Sequence, residues 1–302
     1  MRTAYLGTSD FAATVLRRLA NSPHRPALVV TPPDRRQGRG RKVKPPPAAL
    51  AAQELDLELL QAENVNEEAA LERIRAAQPE AVVVCAFGQL IREPLLSEFP
   101  ILNVHPSLLP RWRGAAPIER AIMAGDERTG VCIMRLTEGL DSGPVALREE
   151  LAISPGEDFE SLSTRLAELG GELLVRALDL QAEGGLEFTE QDEVGVTYAE
   201  KIESEERRLD PERPAVELAA KVRALNPHVG TYFELPDGER LGVKRVAAAA
   251  EAQLAAGELA ERDGTLLLGT SEGALRLELV QPPGGKAMVA DAYLRGHPLP
   301  GS

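Results

Sequence analysis

The run AVVVCAFG, residues 81–88, is apolar throughout and ends at a glycine. A strand with one face in water alternates apolar and polar residues, whereas a continuous apolar run is typical of a strand buried on both faces of a parallel sheet. Other apolar runs predict strands at 2–7, 27–30, 101–105 and 131–136, and helical periodicity predicts helices at 66–78 and 157–183. Strands that alternate with helices indicate an α/β domain with a doubly wound parallel sheet.

Composition limits the class of protein. The chain has 302 residues, 43% of them hydrophobic, which suffices for one large domain or two smaller ones. Its formal net charge of −13 argues against a protein that coats nucleic acid, although a local basic patch is compatible with it. The N-terminal residues lack the apolar core of a signal peptide, and no apolar run approaches the length of a membrane span. We therefore expect a soluble, cytoplasmic protein.

The chain contains only two cysteines, Cys85 and Cys132. Each lies within an apolar run, which predicts buried, free thiols in a reducing compartment. The sequence has no CxxC motif and no cluster of Cys and His, so we expect no metal site.

The character of the sequence changes after about residue 186. The following stretch is polar, charged and weakly periodic, which is typical of a linker. A helix at 215–225 and several short strands separated by turn sequences come next, and they predict a small β-barrel or sandwich. We divide the chain into a first domain at 1–188, a linker at 189–205 and a C-terminal β-barrel domain at 206–302.

Candidate catalytic residues lie at the ends of two predicted strands. Asn103 and His105 are two residues apart on one strand, so both side chains project from the same face. Pro106 keeps His105 extended, and open α/β sheets bind ligands at the carboxyl ends of their strands. Asp141 lies in a glycine-containing loop after the strand at 131–136, from which it can return to His105.

These three side chains together suit acyl transfer to an amine. A carboxylate beside an imidazole favours the imidazolium and fixes its orientation, and Asn103 and His105 can then stabilise an oxyanion at a carbonyl carbon. No serine or cysteine nucleophile accompanies them. Taken singly, Asn103 and Asp141 have an alternative as turn caps, and His105 as a hydrogen-bonded core residue. Their combination at two strand ends favours the catalytic interpretation.

The segments NVHPSLLPRWRGAAPI and GLDSG closely resemble the 10-formyltetrahydrofolate-dependent formyltransferases. Other matching segments include GTSDFA, TPPDRRQGRGRK, CAFGQLI, VTYAEKI and ALNP, and the resemblance covers almost every residue from 2 to 283. The resemblance implies a Rossmann-like folate domain followed by a barrel related to the OB fold. It implies formyl transfer from 10-formyltetrahydrofolate to the α-amino group of methionine on initiator tRNA, without a metal. We expect a monomer.

The resemblance also implies roles for individual residues. Asn103, His105 and Asp141 match the catalytic residues of the family. Folate contacts are implied for Ser107, Leu108, Leu109, Pro110, Phe87, Gly88 and Leu90. The loop at 33–47 matches the one that reaches the acceptor arm of tRNA, with Arg39 as its key arginine.

The C-terminal third separates branches of this family. Glycinamide ribonucleotide formyltransferases end soon after the folate domain, whereas this chain continues well beyond it. Amino-sugar nucleotide formyltransferases share the three catalytic residues but lack this combination of loop and C-terminal region. Two alternatives stay open, namely a formyltransferase for one of these small amines and a catalytically inactive RNA-binding protein on the same fold.

The basic loop offers a contact for RNA. Between Pro33 and Lys44 lie six basic residues and one aspartate, a net charge of +5. The alternative is a solvated loop without a partner, but its position after the second strand places it at the sheet edge that carries the candidate site. The candidate RNA-binding residues are Arg35, Arg36, Arg39, Arg41 and Lys42, and a second basic surface is considered at Lys221, Arg223, Lys244 and Arg245.

Overall fold

The structure is a computed structural model that describes residues 1–37, 42–297 and 299. Tertiary contacts divide the chain into two compact units. The first unit comprises Met1–Gly114, Arg128–Ala152 and Ser163–Ala199. The second comprises Ala115–Glu127, Ile153–Leu162 and the chain from Glu200 onward. Residues 189–199, which composition assigns to a linker, therefore belong to the first unit.

Strands and helices alternate over most of the chain up to Ala199. The strands are β1 (Thr3–Gly7), β2 (Pro26–Thr31), β3 (Arg35–Gln37), β4 (Lys42–Lys44), β5 (Leu59–Gln61), β6 (Ala81–Cys85), β7 (Ile101–His105), β8 (Arg113–Gly114), β9 (Arg128–Arg135), β10 (Val145–Ala152) and β11 (Tyr198–Ala199). The helices are α1 (Asp10–Ala20), α2 (Pro47–Glu54), α3 (Glu68–Ala76), α4 (Leu95–Glu98), α5 (Pro117–Ala124) and α6 (Phe159–Ala182).

The first unit is built on a seven-stranded sheet of order β10-β9-β7-β6-β1-β2-β5. Strands β7, β6, β1, β2 and β5 are parallel to one another, whereas β9 pairs antiparallel with β7 and β10 pairs antiparallel with β9. The predicted α/β class is confirmed. The sequence prediction lacks β10, because the charged run Arg148–Glu150 hides the apolar pattern of this edge strand.

Both faces of the central strands are covered. Ala4 and Leu6 of β1 pack in one hydrophobic cluster with Leu71 of α3. Tyr5 points to the other face, where its hydroxyl donates to the carbonyl of Ala12 in α1 at 2.6 Å. This double coverage explains why β1 and β6 are buried along their whole length.

Helix α6 lies close against the sheet. A Cβ added at Gly170 would lie 3.0 Å from Cγ1 of Val104 and 3.5 Å from Cγ1 of Val131. Val104 therefore faces α6, and its neighbours Asn103 and His105 project from the opposite face of β7. At 24 residues α6 is long, but neither it nor another helix in the described ranges is both long and apolar enough to cross a membrane.

Two short strand pairs add to the first unit. Strands β3 and β4 form an antiparallel pair within the basic loop, in which Arg36 lies opposite Val43. The predicted RNA-binding residues Arg39 and Arg41 lie between these strands, outside the described residues. Strand β8 pairs in parallel with β11, with Gly114 opposite Ala199.

The second unit contains an antiparallel sheet and helices that cover it. Its strands are β12 (Thr231–Glu234), β13 (Arg240–Ala249), β14 (Leu259–Arg262), β15 (Thr265–Gly269), β16 (Ala274–Gln281) and β17 (Met288–Val289), and its helices after Glu200 are a 3₁₀ turn (Glu205–Arg207), α7 (Ala215–Leu225) and α8 (Ala290–Gly296). The strand order is β12-β13-β16-β15-β14, and β17 pairs with β16. Leu218 of α7 and Leu294 of α8 share a hydrophobic cluster with Val243 and Leu277 of the sheet.

This sheet differs from the predicted barrel. Among the described residues, strand pairing runs from β12 to β14 without joining these two ends. Short strands separated by turns fit an open sheet as well as a closed one. Helices α7 and α8 pack against the apolar face of this sheet, and the predicted barrel is not confirmed.

The turn between β9 and β10 approaches β9 so closely that glycine is required. The N–H of Arg135 donates to the carbonyl of Pro144 at 2.9 Å, and a Cβ added at Gly143 would overlap the carbonyl oxygen of Arg135. At Gly185, by contrast, the nearest atom to an added Cβ is the carbonyl oxygen of Leu180 at 3.9 Å.

We predict that Gly143→Ala lowers the free energy of unfolding by about 1–3 kcal/mol, the usual range for forcing atoms into a packed site. Gly185→Ala is the matched control, since it removes the same unfolded-chain freedom without a clash and should be neutral or slightly stabilising. Urea unfolding followed by circular dichroism measures both. Equal stability of the two variants would contradict the close approach.

Candidate active site

The candidate site lies at the carboxyl edge of the first sheet, where two parallel strands end. Strand β7 ends at His105, and its neighbour β6 ends at Cys85, just before the segment 86–91. Asn103 and His105 are only 8% and 4% exposed, although both are polar. Polar side chains buried to this extent are normally held by hydrogen bonds.

The carboxylate of Asp141 joins the elements of the site. Its Oδ1 lies 3.3 Å from Nδ2 of Asn103. Its Oδ2 accepts the backbone N–H of Gly114 at 2.9 Å and lies 3.6 Å from Nδ1 of His105. The structure thus brings together all three residues that the sequence singles out, and it adds a backbone donor from β8.

The ring of His105 is oriented by its other nitrogen. Nε2 lies 2.9 Å from the carbonyl oxygen of Trp112. A carbonyl only accepts hydrogen bonds, so Nε2 carries a hydrogen. Nδ1, the other ring nitrogen, faces the Asp141 carboxylate.

Two residues of the site have left-handed backbone conformations that are unusual for non-glycine residues. The φ angles of Trp112 and Asp141 are +63° and +44°. Such conformations cost energy and persist where surrounding contacts fix them, often at functional sites. At Trp112, one such contact is the hydrogen bond from its N–H to Oγ1 of Thr197 at 2.9 Å.

Sequence reasoning missed the backbone partners in this site. The carbonyl of Trp112 and the N–H of Gly114 carry no side-chain signature. The glycine at position 114 is itself a sequence signal of an unusual backbone. Its φ is +124°, and an added Cβ would lie 2.7 Å from the carbonyl oxygen of Ala199, so both features require glycine. Gln191, which contacts the Asp141 loop, was also missed because it lies in a polar stretch interpreted as a linker.

The cysteines do not supply a nucleophile. Both are free and buried, as predicted. Burial raises the pKa of the Cys85 thiol to about 12 and that of Cys132 to about 11, so both thiols are neutral at physiological pH. Within the described part of the chain, no three His, Cys, Asp or Glu side chains are arranged to hold a metal ion.

Two residues of the SLLP segment, residues 107–110, contact other parts of the protein. Oγ of Ser107 donates to the carbonyl of Arg111 at 2.6 Å. Leu109 is buried against Cys132 and Met134. Ser107 and Leu109 therefore shape the loop, and Leu108 and Pro110 are the partly exposed members.

The predicted folate wall has both buried and exposed members. Phe87 is buried, and its carbonyl accepts the hydroxyl of Thr8 at 2.6 Å. Leu90 is 63% exposed, and Leu140, next to Asp141, is 61% exposed. Large apolar side chains that are exposed to solvent, as these two are, suit contact with an apolar ligand.

The predicted RNA-binding residues differ in their surroundings. Arg36 and Lys42 belong to the β3–β4 pair, where Arg36 is exposed, and Arg35 lies 3.9 Å from Glu63. On the second unit, Arg245 forms an ion pair with Glu278 at 3.1 Å.

Two basic residues considered for the second surface are half-buried. They are Lys221 and Arg223, and burial lowers the pKa of each. Nε of Arg223 is buried without a hydrogen-bond partner in the structure. Lys221 and Arg223 are therefore less available to a phosphate than the hairpin residues.

Family comparison accounts for both parts of the chain. Residues 1–178 match the family described as formyl transferase. Residues 201–298 match the family described as formyl transferase, C-terminal domain. Together these matches cover most of the sequence.

Individual relatives agree over the full length. A methionyl-tRNA formyltransferase of Methylobacillus flagellatus is 43% identical over 302 residues, covering 99% of this chain and 97% of that relative. One from Phenylobacterium zucineum is 44% identical over 305 residues, with 99% and 98% covered. HypX from Aquifex aeolicus, solved with tetrahydrofolic acid, is 19% identical with a TM-score of 0.67, and 97% of this chain spans 47% of that longer chain, which supports the fold alone. The chain belongs to the formyl transferase family.

Proposed function

We propose that this chain transfers the formyl group of 10-formyltetrahydrofolate to the α-amino group of methionine carried by initiator tRNA. The observation that carries the proposal is the convergence of Asn103 and His105 on the Asp141 carboxylate at the carboxyl edge of the sheet. Full-length relatives with about the same chain length and 43% identity support the substrate pair.

Exposed apolar side chains and the segment 107–110 support a proposed folate site. Leu90 and Leu140 present apolar side chains that a flat ring can cover, and the segment 107–110 offers partly exposed Leu108 and Pro110. We propose contacts from this segment and from Phe87 and Gly88. Bound 10-formyltetrahydrofolate supplies the formyl group.

Asn103 and His105 are placed to stabilise negative charge on an acyl oxygen. Nδ2 of Asn103 has two hydrogens, and one of them is directed at Asp141, which leaves the other for a ligand. Nδ1 of His105 can accept a proton from an attacking amine or hold one against the oxygen, because Nε2 is already committed to Trp112. Preorganised donors of this kind lower the barrier because they do not have to reorient during the reaction.

Asp141 holds these groups in place. Its carboxylate orients Asn103 through Oδ1 and stabilises positive charge on the His105 ring through Oδ2. Without a thiolate or an activated serine hydroxyl assigned to this site, direct attack by the amine is the route that the residues support.

The hairpin of β3 and β4 is proposed to contact RNA phosphates. Arg36 and Lys42 lie on it, and the sequence between Pro33 and Lys44 carries a net charge of +5. A chain with a net charge of −13 needs such a local patch to offset its repulsion of RNA. Arg39 and Arg41 are proposed to take part on sequence grounds.

The remaining proposals concern organisation. We propose that residues 1–188 form a Rossmann-like, doubly wound catalytic domain, and that 206–302 form an OB-related domain that contacts tRNA, joined by 189–205. The alternation of strands and helices in the first unit and the short antiparallel strands of the second support this division. We propose a monomer in the cytoplasm.

Labelled formyl donor tests the substrate. We expect label to reach methionyl-tRNA, and not glycinamide ribonucleotide or an amino-sugar nucleotide, when each is incubated with the purified protein. Label on one of the small amines instead would select another branch of the family. Label on none of them would favour an inactive RNA-binding protein.

The three polar residues should carry the chemistry. We predict that Asn103→Ala, His105→Ala and Asp141→Ala each lower kcat by on the order of a hundredfold or more, the scale of losing an oxyanion donor. The KM for the donor should change far less. Asn21→Ala, at an exposed helix end remote in sequence, serves as the control. Near-normal turnover of His105→Ala would overturn the mechanism.

The hairpin should contribute through charge. We predict that Arg36→Ala and Lys42→Ala lower kcat/KM for methionyl-tRNA and flatten its log–log salt dependence by about one unit or slightly less for each phosphate that the variant no longer binds. Arg17→Ala, which removes a surface arginine paired with Glu54 at 2.7 Å, is the matched control. Salt slopes that are identical in all variants would mean that the hairpin does not bind phosphate.

A further inference from the structure

Gln191 is a polar side chain whose hydrogen bonds are concentrated on the catalytic loop. Its Nε2 donates to the carbonyl of Asp141 at 2.8 Å and to the carbonyl of Gly143 at 2.7 Å. Its Oε1 accepts from Nε of Arg113 at 3.0 Å. Both amide hydrogens and the amide oxygen are therefore engaged, which fixes the orientation of the side chain.

These contacts close a ring around the Asp141 carboxylate. Arg113 precedes Gly114, whose N–H donates to Oδ2 of Asp141. Gln191 holds Arg113 at one point of this ring and the backbone of Asp141 at another. The donor and the acceptor of the Gly114–Asp141 bond are thus both fixed relative to one amide group.

The backbone of Asp141 needs such support. Its φ of +44° is unusual for a residue with a Cβ, and a conformation of this kind persists only when the surroundings determine it. Gln191 supplies that constraint, because it binds the carbonyl of Asp141 and, two residues further along the same turn, the carbonyl of Gly143.

Neighbours of Gln191 hold the same two segments. We name residues 189–199 the clamp segment. Thr189 exchanges backbone hydrogen bonds with Val145 at 2.8 and 2.9 Å, next to the end of the Asp141 turn. Thr197 accepts the N–H of Trp112 through its hydroxyl and the N–H of Arg113 through its carbonyl, both at 2.9 Å. The clamp segment therefore contacts both sides of the site.

We propose that Gln191 is a positioning residue, which acts through Asp141 to set the geometry of Asn103 and His105, and that the clamp segment completes the catalytic site. This inference rests on the proposed function, because it assigns Asp141 a part in the transfer. It also means that Gln191 and Thr197, which lie in the proposed linker, take part in positioning the catalytic residues.

Two substitutions separate this role from simple packing. Gln191→Leu removes all three side-chain hydrogen bonds, to Asp141, Gly143 and Arg113. Gln191→Glu keeps an acceptor for Arg113, yet it has no N–H for the carbonyls of Asp141 and Gly143 and sets negative charge against them. We expect both variants to lower kcat tenfold or more, with the donor KM within about twofold of wild type, an effect on turnover rather than on uniform binding. Normal kcat in Gln191→Glu would overturn the proposal.

A matched control measures the effect of losing a side-chain amide hydrogen bond outside the catalytic loop. Gln281 of the second sheet also donates through Nε2 to a backbone carbonyl, that of Gly285, at 2.9 Å. Gln281→Glu should leave kcat within about twofold of wild type. If it lowered kcat as much as Gln191→Glu, the effect would not be specific to the catalytic loop.

A double-mutant cycle tests whether Gln191 acts through Asp141. If it does, Asp141→Ala combined with Gln191→Leu should have nearly the same kcat as Asp141→Ala alone, because the group being positioned is already absent. A further tenfold loss in the double variant would show that Gln191 acts independently.

Tryptophan fluorescence tests the positioning role without any substrate, so its result does not depend on the proposed function. Trp112 is the only tryptophan of the chain, and its carbonyl accepts the bond from His105. Gln191→Leu should shift its emission and increase its quenching by acrylamide, whereas Gln281→Glu should not. Wild-type protein that fails to formylate methionyl-tRNA would overturn the proposed function only. Unchanged Trp112 emission in Gln191→Leu would overturn the positioning role.

Discussion

A carboxylate that is largely removed from water must have its oxygens hydrogen-bonded, and the site of this protein is organised around that requirement at Asp141. Oδ1 is met by the Asn103 amide and Oδ2 by the N–H of Gly114. These partners come from β7 and β8, so the position of the carboxylate depends on how those strands meet the turn after β9. Two features of that turn accompany this position of the carboxylate, namely the close approach of Gly143 to the Arg135 carbonyl and the left-handed backbone of Asp141.

Much of the first unit follows from local sequence pattern. The run at 81–88 indicated a strand buried on both faces, and it lies in the middle of the parallel sheet. The spacing of Asn103 and His105 placed both side chains on one face, because side chains alternate along a strand whatever its neighbours are. The glycines after β9 indicated a turn that can bring Asp141 back. These features were predictable because each depends on a period or a turn within a few residues.

The unpredicted features depend on partners distant in sequence. Gln191 lies far along the chain from Asp141 and donates to backbone carbonyls. Every residue has a backbone carbonyl, so the sequence does not indicate which ones accept these hydrogen bonds. A polar residue that bonds to protein and one that bonds to water look alike in composition. The polar stretch at 189–205 is therefore typical of a linker, although Thr189 bridges to Val145 of β10 and Tyr198 and Ala199 pair with β8. The barrel prediction had the same weakness, because short strands separated by turns do not specify whether the two end strands meet. In the described residues, pairing leaves them separate.

An open sheet exposes strand edges, and such edges can recruit a strand from another molecule. Here the outer side of β12 is met by the chain itself, through a bridge between Arg208 and Tyr232 and a bond from the N–H of Leu209 to the Tyr232 carbonyl at 2.8 Å. The other end strand, β14, is only four residues long and ends in exposed Glu261 and Arg262. A second copy would have to dislodge a covered edge or pair with a short, charged one. The covered edge of β12 and the short, charged edge of β14 both disfavour pairing of this sheet with a second copy.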